Sequence, residues 1–515
     1  MKSLFKGALI LAVGGLFCKA MGAFYKIALA NVLGATGIGF YQLVFPIYGF
    51  ALVFVSGGIT SSVSRFVSAS RAKNKNDEIG GYFFLALLYS LLVGLFFAFL
   101  FVLFAKKLSV WQDAESVYRG YYVLAGAVVV SSLLCPFRGL YQGFGDMTST
   151  FVSQVLEQSF KILFGLLFCF LLRPYGTEFT FLGALFGILI SELVSFLYLS
   201  FRIFFFNKKH KVFVCAIKNY SYKPKRFFAY SLPLTLAALI IPSMNAFASM
   251  FVIKLLVKNQ ISSLTATAIY GIQFGMINSI VSLPALFSTA LATSLIPNLS
   301  FSLEQKRKGQ ASEDVRNCFK TIWVVVLPCM IGLYVLAPNI LRLAFSDAIV
   351  FELFDVATIM LRISSLNVLF LSLVPLSTSI LQVLKKTWQA FASLLTLGIS
   401  YVVFLVVFVL FYGVYGMALA GLFSYAISSV LNIMLINSTN QISMKIKDVL
   451  VPVFASIFMG FLCFFINSFL GSINIVISSL ICVILCVIFY FSLIFIFKIY
   501  NIKNIFFKLK KSQKN

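Results

Sequence analysis

Charge is scarce in this chain. Only 11% of its 515 residues are Asp, Glu, Lys or Arg, and just 15 of those are acidic. Soluble globular chains carry about 25% charged residues. A soluble fold is therefore excluded, and with 61% hydrophobic residues the chain is a polytopic membrane protein. Histidine is scarcer still. The one present, His210, stands in a basic stretch. No Walker loop, zinc-ligand spacing or Gly-rich dinucleotide turn accompanies it. No site for covalent chemistry, metal or cofactor emerges, so the chain does not read as an enzyme. An ATP-driven pump would need its nucleotide domain on another chain. Nine cysteines lie scattered, mostly in apolar segments. Cys482 and Cys486 are helically spaced without a His or acidic companion, which points to packing rather than to metal or disulfide.

Positive charge, by contrast, is in excess: 41 Lys and Arg give a formal charge of +26. In a soluble chain this would point to nucleic acid. In a membrane chain it points to cytoplasmic loops that set topology and meet anionic lipid, and no nucleic acid partner is expected. Apolar stretches of about 20 residues or more predict about fourteen helices. They include spans at 5–30, 38–64, 150–172, 179–206, 266–296, 319–343 and 353–383. The first stretch is too long for a signal peptide, and Lys19 interrupts it, so it reads as the first span. With both termini placed inside, 28 of the 41 Lys and Arg fall in inner loops and tails and six in outer loops. That bias predicts an N-in, C-in topology.

An internal repeat organises the spans. Residues 39–68 align without gaps with 271–300, matching Gly39 with Gly271, Ser56 with Ser288, Ser62 with Ser294 and Ser68 with Ser300. Residues 140–153 align with 380–393, matching Gln142 with Gln382, Phe151 with Phe391 and Ser153 with Ser393. Spans 1–6 and 7–12 thus read as two copies in the same orientation, related by an axis along the membrane normal. The predicted fold is all-α, with two six-helix lobes in pseudo-twofold parallel repeat plus two C-terminal helices. The N-lobe covers 1–206, a basic cytoplasmic loop 207–227, the C-lobe 228–437, two added helices 438–499 and a basic cytoplasmic tail 500–515. Pro46 and Pro284 occupy span 2 and its mate, span 8. They are hinge candidates, because proline frees a backbone carbonyl and bends a helix.

Charges inside the spans mark a candidate site. Gly15, Lys19, Gly22 and Lys26 form one helical stripe. The glycines leave that side uncluttered and join the hinge candidates. A cation at the bilayer centre costs roughly 2.5–3.5 kcal/mol, so it usually faces an interior cavity. A cationic cavity calls for an anionic cargo. Lys19 lies about 21 Å beyond the inner start of its helix, whereas Lys26 and Lys254 stand near outer ends, where side chains can snorkel. Span 5 carries Glu157 and Lys161, four apart in the order that favours a helical ion pair. Glu192, near the middle of span 6, is either a proton or cation site or the partner of a helix-1 lysine. Arg362 shares a stripe with Thr358 and Ser365 and reads as a cavity wall. Arg138 reads as a snorkeller, and Arg65 closes span 2 at the inner face.

Four segments resemble a known family: ANVLGATGIGFYQLVFPIYGF (30–50), SGGITSSVSRF (56–66), RGLYQGFGDMTSTFVSQVLEQSFK (138–161) and LPALFSTALATSLIPNLS (283–300). They are similar to the polysaccharide-export and MurJ-type lipid II flippases, above all the stage V sporulation protein B branch. The wider group is the multidrug/oligosaccharidyl-lipid/polysaccharide superfamily. The resemblance implies a flippase in a bacterial cytoplasmic membrane, working by alternating access. Its cargo would be an undecaprenyl-pyrophosphate-linked saccharide, first of all lipid II for peptidoglycan synthesis. Capsule, teichoic or O-antigen repeat units are alternatives, as is a cation-coupled multidrug exporter. A scaffold for cell-wall synthesis proteins is a third reading. The resemblance also implies a groove between helices 13 and 14 for the lipid tail, and cavity roles for Lys19, Lys26 and Arg65. Na⁺, H⁺ or the membrane potential would drive transport. Span 8 differs from MurJ-type members in carrying no cation.

Overall fold

The computed structural model describes residues 2–210, 223–305, 307–346, 348–438, 446–470 and 474–497. Most of the basic loop 207–227 and all of the tail 500–515 lie outside them. Among the described residues there is no strand. The helices are α1 (Lys2–Ser56), α2 (Ile59–Ala72), α3 (Asn76–Trp111), α4 (Tyr118–Gly143), α5 (Met147–Leu172), α6 (Thr177–His210) and α7 (Pro224–Lys258). There follow α8 (Ser263–Gly271), a π-helical turn (Ile272–Ile277), α9 (Asn278–Glu304), α10 (Lys308–Val335), α11 (Ala337–Phe345) and α12 (Phe351–Val383). The last are α13 (Thr387–Tyr412), α14 (Gly416–Asn437), α15 (Ile446–Phe469) and α16 (Ile475–Ile496). Hydrocarbon offers backbone amides no partner, which is why so apolar a chain is helical throughout.

Twelve described helical stretches are long and apolar enough to cross a membrane. Two of them, Gly14–Ala72 and Thr387–Asn437, run to 59 and 51 residues, enough for two crossings each at about 20 residues per crossing. The fourteen expected crossings are therefore accommodated. Several boundaries differ from the sequence reading. Spans 1 and 2 are joined by a kink at Gly34, not by a loop. Gly34 has φ +69° and ψ 178°, a region essentially confined to glycine that costs a side-chain-bearing residue roughly 1–3 kcal/mol. The amide freed beside it, Ala35 N–H, donates to the Ala348 carbonyl at 2.9 Å. Span 9 starts earlier, at Lys308, and divides at Leu336 into α10 and α11. His210 ends α6 rather than lying in a loop.

The chain forms two compact units. The first comprises Met1–Ser279, Asp347–Val350 and Gly398–Met417; the second comprises Ile280–Ser346, Phe351–Leu397 and Ala418–Asn515. In the first unit α1 is the central strut, packing against α4, α5, α6, α7 and α8. Fully buried Gln112 ties three elements together. Its amide donates to the Leu43 and Ser249 carbonyls at 2.9 and 3.3 Å and its oxygen accepts from Tyr121 at 2.8 Å. Gly39 and Gly271, the first matched pair of the repeat, meet at the crossing of α1 with α8. A Cβ on Gly271 would lie 2.6 Å from the Gly39 nitrogen and 2.8 Å from its Cα. At one end of this unit an apolar cluster gathers Val63, Phe83, Phe137, Leu140 and Phe227.

In the second unit α10 packs against α12 and α15, and α15 against α16. Arg316 grips Asp448 through Nε and Nη2 at 2.5 and 3.1 Å, fixing the start of α15 to α10. Asn339 of α11 donates to Asn467 at 2.6 Å and to Ser479 at 3.3 Å, and Tyr490 of α16 donates to the Val324 carbonyl at 2.8 Å. Each bond occupies a polar group that would otherwise be costly to bury.

Two stability outcomes are expected. Gly271→Ala forces apart two backbones and should cost about 1–3 kcal/mol, seen as a lower unfolding temperature in detergent. Gly332→Ala, where a Cβ meets nothing within 4 Å, should be neutral or stabilising by up to about 1 kcal/mol. Asp146 caps α5 by accepting from the Ser149 amide at 3.1 Å and from its hydroxyl, and pairs with Arg202 at 3.2 Å. Burial works to raise its pKa, but Ser149 and Arg202 outweigh that and hold it below the ordinary carboxylate value. A depressed native pKa stabilises above the unfolded pKa, and that stabilisation is lost as pH falls through the native one. Asp146→Asn keeps a good cap. It should lower stability at pH 7 by about 0.5–1 kcal/mol, and the deficit should shrink as pH falls below the ordinary carboxylate pKa of about 3.9.

Candidate functional site

The first leg of α1 shows two exposed faces. Phe17 and Phe24 are 53% and 66% exposed. They lie about 160° and 140° around the helix from Lys19, at about 100° per residue. Lys19 is exposed too, and Lys26 is half-buried about 20° from it on the same face, some 10.5 Å along the axis. Exposed phenylalanines suit lipid; exposed lysine in mid-span requires water. Gly15 on the lysine side has open space where a Cβ would stand, and a Cβ on Gly22 would meet the Gln158 side-chain oxygen at 3.6 Å.

Helix α5 lies against this leg. A Cβ on Gly14 would collide with the Phe151 ring and one on Gly165 with the Tyr25 hydroxyl, so the helices approach closely. Glu157 does not pair with Lys161. It accepts from Arg138 of α4 at 2.7 Å, and Arg138 also donates to Ser153 at 3.1 Å. Arg138 is thus a partnered interior cation and not a snorkeller. The pair draws Glu157 away from its i+4 neighbour because α4 presents a fork-shaped donor at that level. Lys161 instead lies over the Phe45 and Tyr25 rings, 5.2 and 5.8 Å from their centroids, a contact that favours a desolvated cation. It is also the electrostatic neighbour of Lys26.

Glu192 of α6 is buried, with Glu157 and Lys161 as electrostatic neighbours. Tyr48 donates to its Oε1 and lies 3.0 Å from Ser131 Oγ. Its Oε2 has no hydrogen-bond partner among the described residues. The structure thus gathers Gly22, Lys26, Glu157, Lys161 and Glu192 along α1, α5 and α6. Tyr25, Tyr48 and Arg138 complete the set. The tyrosines carried no sequence signal, since an aromatic in an apolar run reads as core.

The remaining candidates have surroundings of their own. Arg65 on α2 is exposed, its guanidinium 4.1 Å from the Tyr230 ring centroid. Pro46 and Pro284 are half-buried within α1 and α9. Arg362 belongs to the second unit, half-buried on α12. Its guanidinium is 5.8 Å from the Tyr334 ring centroid, and its Nε lacks a partner among the described residues.

These features define a polytopic all-α membrane protein with charge held inside its helical bundle. The profile described as polysaccharide biosynthesis protein matches residues 4–302, and the chain belongs to that family, as its segments led one to expect. Stage V sporulation protein B of Bacillus subtilis (strain 168) is 26% identical over 354 residues, 67% of each chain. The lipid II flippase MurJ of the same organism is 25% identical over 422 residues, 76% of this chain and 74% of that one. A solved lipid II flippase MurJ in an inward closed conformation matches with a TM-score of 0.72 at 16% identity, covering 95% of this chain and 99% of that one. The activity named for it is transport, not catalysis.

The half-buried ion pair gives a direct test. Glu157→Gln strands the Arg138 guanidinium and should cost about 2 kcal/mol of stability. The double change Arg138→Met with Glu157→Leu should recover most of it in the same thermal unfolding measurement.

Proposed function

We propose that the chain is a flippase for a polyprenyl-pyrophosphate-linked saccharide, with lipid II as the leading cargo. The observation that carries this reading is the lysine face of α1, exposed opposite the exposed phenylalanines. Lys19 and Lys26, with Lys161 behind them, attract a pyrophosphate. Sugars cannot enter hydrocarbon without several kcal/mol per unsatisfied polar group, so a wet, cationic face is the passage they require. The lipid tail stays in the bilayer beside helices 13 and 14, here α15 and α16. Arg65 and Arg362 are further cationic contacts for the headgroup. Lobes 1–206 and 228–437 alternate in access, bending at Pro46 and Pro284. An inside-negative potential favours outward movement of a net anion by about 2.3 kcal/mol per charge per 100 mV. Na⁺ or H⁺ coupling through Glu192 or Glu157 is the other drive. Charge bias puts both termini on the cytoplasmic side of a bacterial inner membrane, where anionic lipids and cell-wall synthesis proteins are the partners.

A second reading, a cation-coupled drug exporter, draws on the buried carboxylate of Glu192. It fits poorly with four lysines and no acid on the first leg of α1. Other lipid-linked repeat units, of capsule, teichoic or O-antigen type, share the pyrophosphate and remain alternatives to lipid II.

In proteoliposomes, the native chain should move a fluorescent lipid-linked precursor between leaflets. Lys19→Ala with Lys26→Ala should slow it at least tenfold while leaving the unfolding temperature in place. Unimpaired transport by that variant would sink the cationic-face mechanism. A drug flux with no lipid flux would favour the exporter.

A further inference from the structure

Sequence spacing places Cys482 and Cys486 on one face of α16. The fold adds a third thiol, Cys463, from α15. All three are buried, and their sulfurs lie within 4.8 Å of one another. Cys463 Sγ is 3.3 Å from Cys482 Sγ, which is 4.0 Å from Cys486 Sγ. Each is a free thiol. They belong to a buried apolar cluster with Val324, Ala455, Met459 and Tyr490. By helical rise, Cys463 and Cys482 stand about 9–11 Å from the adjoining ends of α15 and α16.

We propose that these three cysteines form a binding site for one Cu(I) ion. Metal–sulfur bonds of about 2.3 Å in a trigonal plane put the sulfurs about 4 Å apart, close to the spacing already present. The donors are all soft, which selects Cu(I) or Zn²⁺ over harder cations. Zinc favours a closed set of four ligands. Among the described residues no His, Asp or Glu joins the three thiols, so the trigonal ion fits better. Charge agrees when one thiol releases its proton to water as its S–Cu bond forms and the other two bind as neutral thiols. The complex is then neutral, as burial among apolar side chains requires, and no electron is transferred. Bound copper clamps α15 to α16, the pair beside which the proposed lipid tail would lie, although the copper site stands whether or not that transport reading does.

The test uses full-length protein in nanodiscs, reduced and kept anaerobic, with Cu(I) offered as its bathocuproine disulfonate complex. Loss of the chelate colour should report one Cu(I) taken up per chain, and X-ray absorption should show sulfur-only ligation at about 2.3 Å. Cys463→Ser, Cys482→Ser and Cys486→Ser, each confirmed to keep its unfolding transition, should weaken retention at least tenfold. Cys169→Ser, a buried thiol elsewhere, should change it less than twofold. Retention by the triple variant equal to the native chain's would overturn the proposal. So would equal loss in Cys169→Ser, displacement of Cu(I) by equimolar Zn²⁺, or mass spectra showing a Cys463–Cys482 disulfide in place of metal uptake.

Discussion

A charge inside a bilayer must be paired, hydrated or laid against an aromatic face, and this fold is arranged around that requirement. Arg138 and Glu157 neutralise each other between α4 and α5, and Arg316 and Asp448 do so between α10 and α15. Lys161 takes the aromatic solution over Phe45 and Tyr25. Glu192 takes a hydrogen bond from Tyr48. Lys19 has none of these among the described residues and is exposed, which leaves hydration. Helix positions follow, because each paired charge specifies which neighbour its helix must touch and at what depth.

The same logic governs the backbone. Where the chain departs from regular helix, something receives the freed group. At Gly34 the Ala35 amide finds the Ala348 carbonyl. The segment that supplies this carbonyl is short and lies between α11 and α12, yet it belongs to the first compact unit. Gln112 performs a similar service with its side chain, accepting one bond and donating two.

Much of this was legible in advance. Fold class and the number of crossings follow from bilayer thickness, which demands long apolar runs of nearly fixed length. The lysine stripe was legible because helical period alone decides which residues share a face. What period cannot say is which other helix looks onto that face. Glu157 therefore seemed to belong to Lys161, four residues on, whereas Arg138 reaches it from α4. Cys463 was invisible as a companion of Cys482 because they lie nineteen positions apart on different helices. The Gly34 kink was hidden for a different reason. An apolar helix that bends without a polar loop leaves no change in composition.

The meeting of Gly39 with Gly271 bears on how such a chain could have arisen. Matched positions of two copies touch each other only where the symmetry axis passes. If the halves descend from one ancestral gene, that glycine once faced itself across the interface of two identical chains. Its smallness was then a condition of self-association before it became a feature of internal packing. After fusion both positions stayed confined to the same helix crossing, since a Cβ on Gly271 presses on the Gly39 backbone and one on Gly39 presses on the Thr267 carbonyl, one turn before Gly271. Lineages that keep one glycine should therefore keep both.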